Sequence, residues 1–151
     1  MSKKKTLFSR DKLKNNKQQL RRVTKASNRI LFRVKAVFPF DFFPNELIID
    51  ENSVNIVYKY FFFSREVSSM PFENINACRS SVGLLFGTIY IELEGYNRNP
   101  PPLRYLWRKD AYMARRMITG LITCQKQQID LRKLDLNEVK EKIMNIGMVK
   151  P

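Results

Sequence analysis

The side chains of this chain most suited to binding chemistry are the lysines and arginines near its N-terminus. Residues 1–35 hold 13 Lys or Arg and a single acid, Asp11, so they carry +12 of the formal net charge of +14. The other 116 residues are nearly neutral, with 15 basic and 13 acidic side chains. This basic N-terminal arm predicts an anionic partner, either the phosphates of a nucleic acid or an anionic membrane leaflet. Its candidate contacts are Lys3, Lys4, Lys5, Lys12, Lys14, Lys17, Arg21, Arg22, Lys25 and Arg29.

A second candidate contact is the run of Phe61, Phe62 and Phe63, which lies at a predicted turn. An apolar knob flanked by Lys59 and Arg65 is suited to the interface of a membrane. The alternative is core packing, because the alternation of a strand buries at least one of three consecutive side chains. We therefore treat Phe61, Phe62, Phe63 and Arg65 as candidate interface residues, with both interpretations open.

Groups suited to catalysis or metal binding are scarce. The chain has no His, and Cys78 and Cys124 form no CxxC pair, which excludes the usual zinc spacings and imidazole-dependent catalysis. No Gly-rich phosphate loop or nucleophile elbow occurs. Glu92 and Glu94 alternate on one predicted strand face, where solubility is the usual reason for acids. The sequence thus predicts no enzyme activity, no catalytic, cofactor or metal site, and no small-molecule substrate.

The composition also predicts where the protein works. Two widely spaced free cysteines are typical of a reducing compartment. The apolar runs are all far shorter than the roughly 18 residues that a membrane-spanning helix needs. We therefore expect a cytoplasmic protein that is at most peripheral to the inner face of a membrane.

The pattern of the body is one of short β-prone runs separated by turn residues. Pro39 and Pro44 end the first run and enclose four phenylalanines, which we expect to pack as an aromatic corner under a sheet edge. Glu51-Asn52 has the polar character of a hairpin turn. The predicted strands are 29–37, 46–50, 53–60, 65–70, 75–81, 84–93 and 103–107.

After the last predicted strand, the spacing of apolar residues changes from that of a strand to that of a helix. Residues 109–126 form a predicted amphipathic helix whose apolar stripe, from Trp107 to Leu121, would cap a sheet. Gly120 inside it indicates a close approach to a strand. Asp135 is a predicted N-cap for a shorter helix over 136–145, and Gly147 fits the position after its end.

These elements predict an α+β protein that is mainly β. The expected organisation is a basic arm over 1–28, disordered or a marginal helix, followed by a β-rich domain over 29–126. Residues 127–151 form a linker and the short C-terminal helix.

Five local motifs stand out along the body: residues 38–50 (FPFDFFPNELIID), 59–66 (KYFFFSRE), 70–75 (MPFENI), 85–91 (LFGTIYI) and 105–121 (YLWRKDAYMARRMITGL). These motifs and the order of elements resemble uncharacterised bacterial proteins with a pleckstrin-homology-like (PH-like) domain, over residues 30–123. That resemblance implies bent antiparallel sheets capped by a C-terminal amphipathic helix, and no assigned catalytic residues. Eukaryotic PH domains bind phosphoinositides through basic residues between their first two strands, and the matching residues 38–46 contain no Lys or Arg.

The sequence therefore predicts a noncatalytic PH-like interaction or adaptor module. Its basic arm would associate with an anionic surface, the inner membrane leaflet in the leading hypothesis, while the body binds a protein partner. One alternative is a nucleic-acid-binding protein whose arm lies along phosphates. Another is a structural assembly subunit in which an exposed strand edge pairs with a further chain.

Overall fold

The structure, a computed structural model, describes residue 16 and residues 29–61, 63–95, 97–131 and 134–148. These residues form two antiparallel sheets, one with the order β1-β2-β3-β4 and one with the order β5-β6-β7. The fold is thus α+β and mainly β, as predicted. The elements are β1 (Ile30–Lys35), β2 (Glu46–Asp50), β3 (Ser53–Lys59), β4 (Arg65–Pro71), a 3-10 turn (Phe72–Asn74), β5 (Ile75–Val82), β6 (Phe86–Leu93), β7 (Leu103–Trp107), α1 (Arg108–Lys126) and α2 (Leu136–Ile146).

The first sheet follows the alternation of its sequence in β3, where Val54, Ile56 and Tyr58 are buried. The predicted hairpin turn between β2 and β3 is confirmed. Asp50 closes it by accepting hydrogen bonds from the backbone N–H groups of Asn52 and Ser53, at 2.8 and 2.7 Å. A short polar side chain at the first position of a turn is favoured for this reason.

The alternation of buried and exposed side chains along β1 is irregular at the start of the strand. Ile30 is exposed and Leu31 is buried, whereas Val34 and Ala36 face the core. The register shifts between Ile30 and Phe32, and a bulge of this kind turns one side chain to the other face. Strict alternation along 29–37 predicts that Ile30 and Val34 share a face, and this prediction is wrong.

Helix α1 covers the second sheet, as predicted, and buries Ala111, Ala114, Ile118 and Leu121. Its stripe does not extend to Trp107, whose side chain is 45% exposed. Trp107 is the last residue of β7 and precedes the helix, so the helical period does not govern its direction. The predicted burial of Trp107 is wrong for this reason.

Helix α2 packs on α1 and belongs to the same hydrophobic core. Asp135 accepts a hydrogen bond from Asn137 N–H at 3.1 Å, which confirms the predicted N-cap. Val139 and Ile143 are fully buried. The C-terminal segment is therefore integrated with the β-rich body through these side chains.

Two glycines are explained by the contact between the helices. Gly120 lies against the backbone of Ile143 in α2, so the expected approach to a strand is wrong. Gly147 ends α2 with φ −74°, and it has close backbone contact with Arg116 of α1. A Cβ atom at either position would overlap the neighbouring helix.

The loops divide between two ends of the two-sheet body. The β1–β2, β3–β4 and β5–β6 connections and the β7–α1 junction meet at one end, joined by contacts described below. The start of β1, the β2–β3 turn and the end of α1 lie toward the other end. Within the part of the chain that the structure describes, no helix is long and apolar enough to cross a membrane.

Candidate interaction surface

Arg29 is the only predicted arm contact among the described residues, and its guanidinium is engaged inside the fold. Its Nε lies 3.1 Å from Oε1 of Glu51, and its Nη2 donates to the carbonyl oxygen of Leu134 at 3.0 Å. The Glu51 side chain is only 3% exposed. This pair fixes the start of β1 to the β2–β3 turn, where the arm joins the body. The other predicted contacts, Lys3, Lys4, Lys5, Lys12, Lys14, Lys17, Arg21, Arg22 and Lys25, lie outside the described residues.

The opposite end of the body carries a concentration of exposed apolar side chains. They come from the β1–β2, β3–β4 and β5–β6 loops and from the last strand, together with the half-buried Phe86 at the start of β6. We call this surface the aromatic end, and it consists of Phe38, Phe40, Phe42, Phe61, Phe63, Leu84, Leu85, Phe86, Tyr105 and Trp107.

A row of ring contacts crosses the aromatic end. The ring centroids of Phe40 and Phe86 are 4.8 Å apart, and those of Phe86 and Trp107 are 5.3 Å apart. Phe40 also stacks on Tyr105 at 6.3 Å. These separations fall in the range in which aromatic rings attract one another beyond simple burial. The row joins the β1–β2 loop to the second sheet.

The β1–β2 loop is organised around Asp41. Its carboxylate accepts hydrogen bonds from the backbone N–H groups of Phe43 and Asn45, both at 3.2 Å. Asn45 in turn accepts the N–H of Lys59 through its side-chain oxygen, at 2.8 Å. These polar contacts form the loop and direct Phe38 and Phe42 outward, where both are mostly exposed. The prediction that the aromatic corner packs under a sheet edge is therefore wrong for these two residues.

Tyr105 occupies an unusual backbone conformation within β7. Its φ is 59°, in the left-handed region that few residues other than glycine adopt. The pairing of β6 with β7 is irregular at the same point, and the Tyr105 carbonyl oxygen instead accepts Val37 N–H at 2.8 Å. Strained residues at bulges often occur at functional sites. Here the bulge connects β7 to the end of β1 beside the phenylalanine row.

The β3–β4 connection is the turn that the sequence predicted. Tyr60 N–H donates to the Ser64 carbonyl oxygen at 2.8 Å, and Ser64 N–H donates to that of Phe61 at 3.1 Å. Phe63 is fully exposed, and Phe61 is mostly exposed although its ring contacts Phe43 at 5.9 Å. Core packing therefore does not apply to Phe61 or Phe63. Phe62 lies outside the described residues.

The β5–β6 turn and the first turn of α1 enclose an open groove beside Trp107. Gly83 N–H donates to the Phe86 carbonyl oxygen at 2.8 Å, and this turn projects Leu84, which is 86% exposed. The backbone N–H of Arg108 donates to the Leu85 carbonyl oxygen at 2.9 Å and holds the helix start against the turn. The groove has a volume of about 530 Å³ and is lined by Leu84, Leu85, Trp107, Arg108, Lys109 and Tyr112.

The charged side chains around the aromatic end are mainly basic. Lys59 and Arg65 flank the β3–β4 turn, Lys35 ends β1, and Arg108 and Lys109 begin α1. The neighbouring acids are Asp41, which closes its own loop, Glu46, which forms a salt bridge with Arg33 at 2.6 Å, Glu66, which accepts from the Tyr60 hydroxyl at 3.3 Å, and Asp110. The aromatic end therefore combines apolar bulk with a positive rim.

The described residues offer little that suits catalysis. Among them, no group of three or more His, Cys, Asp or Glu is placed to hold a metal ion. Burial raises the pKa of the Cys78 thiol to about 12, with a smaller opposing effect of Arg115. Burial also raises the pKa of Cys124. Both thiols are therefore protonated, and weak nucleophiles, at neutral pH.

The interface candidates predicted from the sequence include Phe61 and Phe63 of the aromatic end but none of its residues from the β5–β6 turn or β7. The sequence pattern predicts Leu84 in a strand and Trp107 on the apolar stripe of the helix. One signal was available: two leucines directly follow Gly83 at a turn, where a strand cannot bury them. The cations Arg108 and Lys109 are exposed at the start of α1.

The fold and this surface define a small α+β protein with an apolar, positively charged end. Comparison of the chain with protein-family models, with curated proteins and with solved structures finds no match. The resemblance to PH-like proteins remains a prediction from the sequence motifs.

Proposed function

We propose that this protein is a noncatalytic, PH-like adaptor that attaches to the surface of an anionic membrane, in particular the inner leaflet. The aromatic end enters the interfacial region of the bilayer, and the basic arm adds electrostatic attraction. The remaining faces of the body stay accessible to a protein partner. The single observation that carries the proposal is the aromatic end itself.

The first support is the amount of exposed apolar surface in one place. Monomeric proteins rarely leave a contiguous apolar patch larger than a few hundred Å² in water unless it serves an interaction. Fully burying one Phe or Leu side chain is worth about 1.5–3 kcal/mol. The fully exposed Phe63 and the mostly exposed Leu84 lie at separate loop tips. Because a lipid interface is deformable, both side chains can insert into it at once.

The second support is the charge around this surface. Each Lys or Arg near an anionic membrane contributes about 1 kcal/mol of attraction. Lys59 and Arg65 flank one tip, while Arg108 and Lys109 flank another. Aromatic rings beside basic side chains are typical of interfacial anchors.

The arm joins the body at Arg29, at the far end of β1 from the β1–β2 loop. The six residues of β1 separate the two ends by roughly 20 Å at the usual rise of a strand. A chain of 28 residues spans at most roughly 90–100 Å when fully extended. The arm is therefore long enough to touch the same membrane as the aromatic end.

The nucleic-acid hypothesis fits this surface less well. Single-stranded nucleic acids bind to exposed aromatic faces and basic grooves. Leu84 and Leu85 provide no stacking face, yet they are among the exposed residues of the aromatic end. Phe40 and Phe86 turn toward each other, with centroids 4.8 Å apart, and leave no gap for a base between them.

The test is co-sedimentation of the full chain with vesicles of phosphatidylcholine alone and of phosphatidylcholine mixed with phosphatidylglycerol. We expect pelleting with the mixed vesicles, not with the neutral ones, and persistence when single-stranded RNA is added. Double substitution Phe63→Glu and Leu84→Glu should abolish pelleting, since each places a charge at a tip.

The matched control is Ile129→Glu, which alters an exposed apolar residue just after α1, away from the aromatic end. It should pellet like the unaltered chain. Loss of pelleting to RNA would favour the nucleic-acid hypothesis. Equal pelleting of the tip variant and the unaltered chain would refute a role for the aromatic end.

A further inference from the structure

The groove beside Trp107 combines two kinds of wall. Leu84, Leu85 and the rings of Trp107 and Tyr112 form its apolar sides, and Arg108 and Lys109 supply cations. Its volume of about 530 Å³ is within the usual range of small-molecule sites, roughly 300–1,000 Å³. An amphiphile with one anionic group and an apolar chain matches both kinds of wall.

We infer that this groove binds one anionic glycerophospholipid molecule of the membrane. The lipid phosphate lies between Arg108 and Lys109, and part of an acyl chain lies along Leu84 and the Trp107 ring. The inference rests on the proposed function, because it names the lipid class that the membrane-bound protein selects.

The charge of the groove favours an anionic headgroup. Arg108 and Lys109 are consecutive and exposed at the start of α1, and a guanidinium forms charge-assisted hydrogen bonds with phosphate oxygens. A zwitterionic lipid carries its own cation next to the phosphate, which the two side chains would repel. A headgroup with a net negative charge avoids that repulsion.

The backbone of Arg108 is fixed, and its side chain lies beside a ring, before a ligand arrives. Its backbone N–H donates to the Leu85 carbonyl oxygen at 2.9 Å. Its guanidinium carbon lies 5.9 Å from the centroid of the Tyr112 ring, within reach of a cation–π interaction. Binding therefore loses less side-chain entropy than it would with a freely moving arginine.

The position of the groove favours a lipid over a peptide as its occupant. The ring row from Phe40 through Phe86 ends at Trp107, which is also a wall of the groove. Leu84, a residue of the proposed membrane-inserted tip, forms another wall. The groove is thus continuous with the surface that enters the interface, where lipid is the molecule present at high local concentration.

The tryptophan of the groove allows a direct test, because Trp107 is the chain's only tryptophan. The full chain is titrated with dihexanoyl-phosphatidylglycerol below its micelle concentration while Trp107 emission is recorded. Dihexanoyl-phosphatidylcholine is the neutral control. We expect a saturable blue shift with the anionic lipid and an affinity at least about fivefold weaker for the neutral one.

Charge variants separate a specific site from general attraction. The double variant Arg108→Ala and Lys109→Ala should weaken binding of the anionic lipid by about tenfold. The matched control, Arg98→Ala and Lys126→Ala, removes the same charge from exposed positions outside the groove. It should change the affinity by less than about twofold. All four side chains are outside the hydrophobic core, and urea denaturation verifies that each variant is folded.

The outcomes distinguish the groove from the proposed function. Equal weakening in both double variants, or no saturable Trp107 response, would overturn the groove inference even if the protein pellets with vesicles. A saturable response without vesicle pelleting would support the groove and refute the proposed membrane attachment. Failure of both assays would refute both proposals.

Discussion

Gly120 of α1 is in direct contact with the backbone carbonyl of Ile143 in α2. A Cβ atom at position 120 would overlap the Ile143 carbonyl oxygen and approach its side chain. Ile143 itself is fully buried. The two helices therefore approach each other as closely as they do because residue 120 has no side chain.

Gly120→Ala should destabilise the protein. In an open helical position this change stabilises by up to about 1 kcal/mol, but here the new methyl group meets a backbone atom that has no rotamer to change. We expect a loss of roughly 1–3 kcal/mol in the free energy of unfolding, measured by urea denaturation. The control is Gly83→Ala, whose Cβ would lie at an ordinary 3.5 Å from the Phe86 carbonyl oxygen. An alanine variant at 120 as stable as the unaltered chain would contradict this packing.

The sequence revealed Gly120 as unusual but not its neighbour. Helical periodicity located α1 to within one residue and α2 to within one residue, because each helix has its own apolar stripe and α2 its own cap. Which surface meets Gly120 depends on how α2 folds back on α1. That is a tertiary contact, and the spacing of apolar residues within each helix does not predict it.

The same limit explains what was missed at the aromatic end. The Ser53–Lys59 strand and the turn after it were predictable because alternation and turn chemistry are local. The outward direction of Phe38 and Phe42 depends on Asp41 hydrogen bonds within an irregular loop, where no periodicity applies. The exposure of Trp107 depends on a bulge in β7 next to Tyr105.

Arg116 provides a polar connection between the two helices, and its loss should cost stability. Its Nε and Nη2 donate to the Met144 carbonyl oxygen at 3.2 and 2.7 Å. Hydrogen bonds from a charged group contribute about 1.5–3 kcal/mol, so Arg116→Gln should lower the free energy of unfolding by roughly 1–2 kcal/mol. Lys126→Gln, at an exposed position of the same helix, is the control and should be nearly neutral. Similar unfolding midpoints for both variants would refute the role of Arg116.

The Arg29–Glu51 pair should show strong coupling in a double-mutant cycle. Arg29→Met leaves the buried carboxylate without this cation, and Glu51→Gln leaves the half-buried guanidinium without this anion. Each single change should cost about 2–3 kcal/mol, since breaking a buried pair is costly even when one partner is partly solvated. The double variant should cost clearly less than the sum of the two. Additive losses, measured by denaturation, would show that the two charges act independently.

Stability should fall at alkaline pH because two weakly acidic side chains, the buried Tyr58 and the partly buried Cys78, are harder to ionise in the folded protein. Burial, followed by Tyr60 and Glu66, raises the pKa of Tyr58 above its ordinary value of 10.0, and burial raises the pKa of Cys78 from 9.0 to about 12. In the unfolded chain these groups lose their protons at lower pH than in the folded protein. The free energy of unfolding is therefore fully retained below about pH 9 and declines as the pH rises toward 12.

The measurement is urea denaturation at neutral pH and at several values between 9 and 12. Tyr58→Phe removes a hydroxyl that donates to the Pro101 carbonyl oxygen at 2.7 Å, so this variant should lose some stability at neutral pH. Together with Cys78→Ala, it should flatten the alkaline decline. If the free energy of unfolding of the double variant declined as steeply with pH as that of the unaltered chain, other titrating groups would be the cause.

Asp41→Ala should weaken membrane binding although Asp41 points into its own loop. Its carboxylate closes the β1–β2 loop through three hydrogen bonds, two to the backbone N–H groups of Phe43 and Asn45 and one to the Asn45 side chain. Without them the loop no longer holds Phe38 and Phe42 at the aromatic end. Binding would then have to order these two side chains, at a cost in conformational entropy. We expect about tenfold weaker affinity for phosphatidylglycerol vesicles in the pelleting assay, equivalent to ~1.4 kcal/mol.

Asp50→Ala is the matched control for this prediction. Asp50 closes the β2–β3 turn with the same chemistry, accepting from the backbone N–H groups of Asn52 and Ser53, but it lies at the other end of the sheet. Both variants should lose a similar amount of stability, roughly 1–2 kcal/mol. Only Asp41→Ala should lose vesicle affinity, because the organisation of the aromatic end, rather than general stability, determines attachment. Equal vesicle affinities for the two variants would mean that the ordered β1–β2 loop has no part in membrane binding.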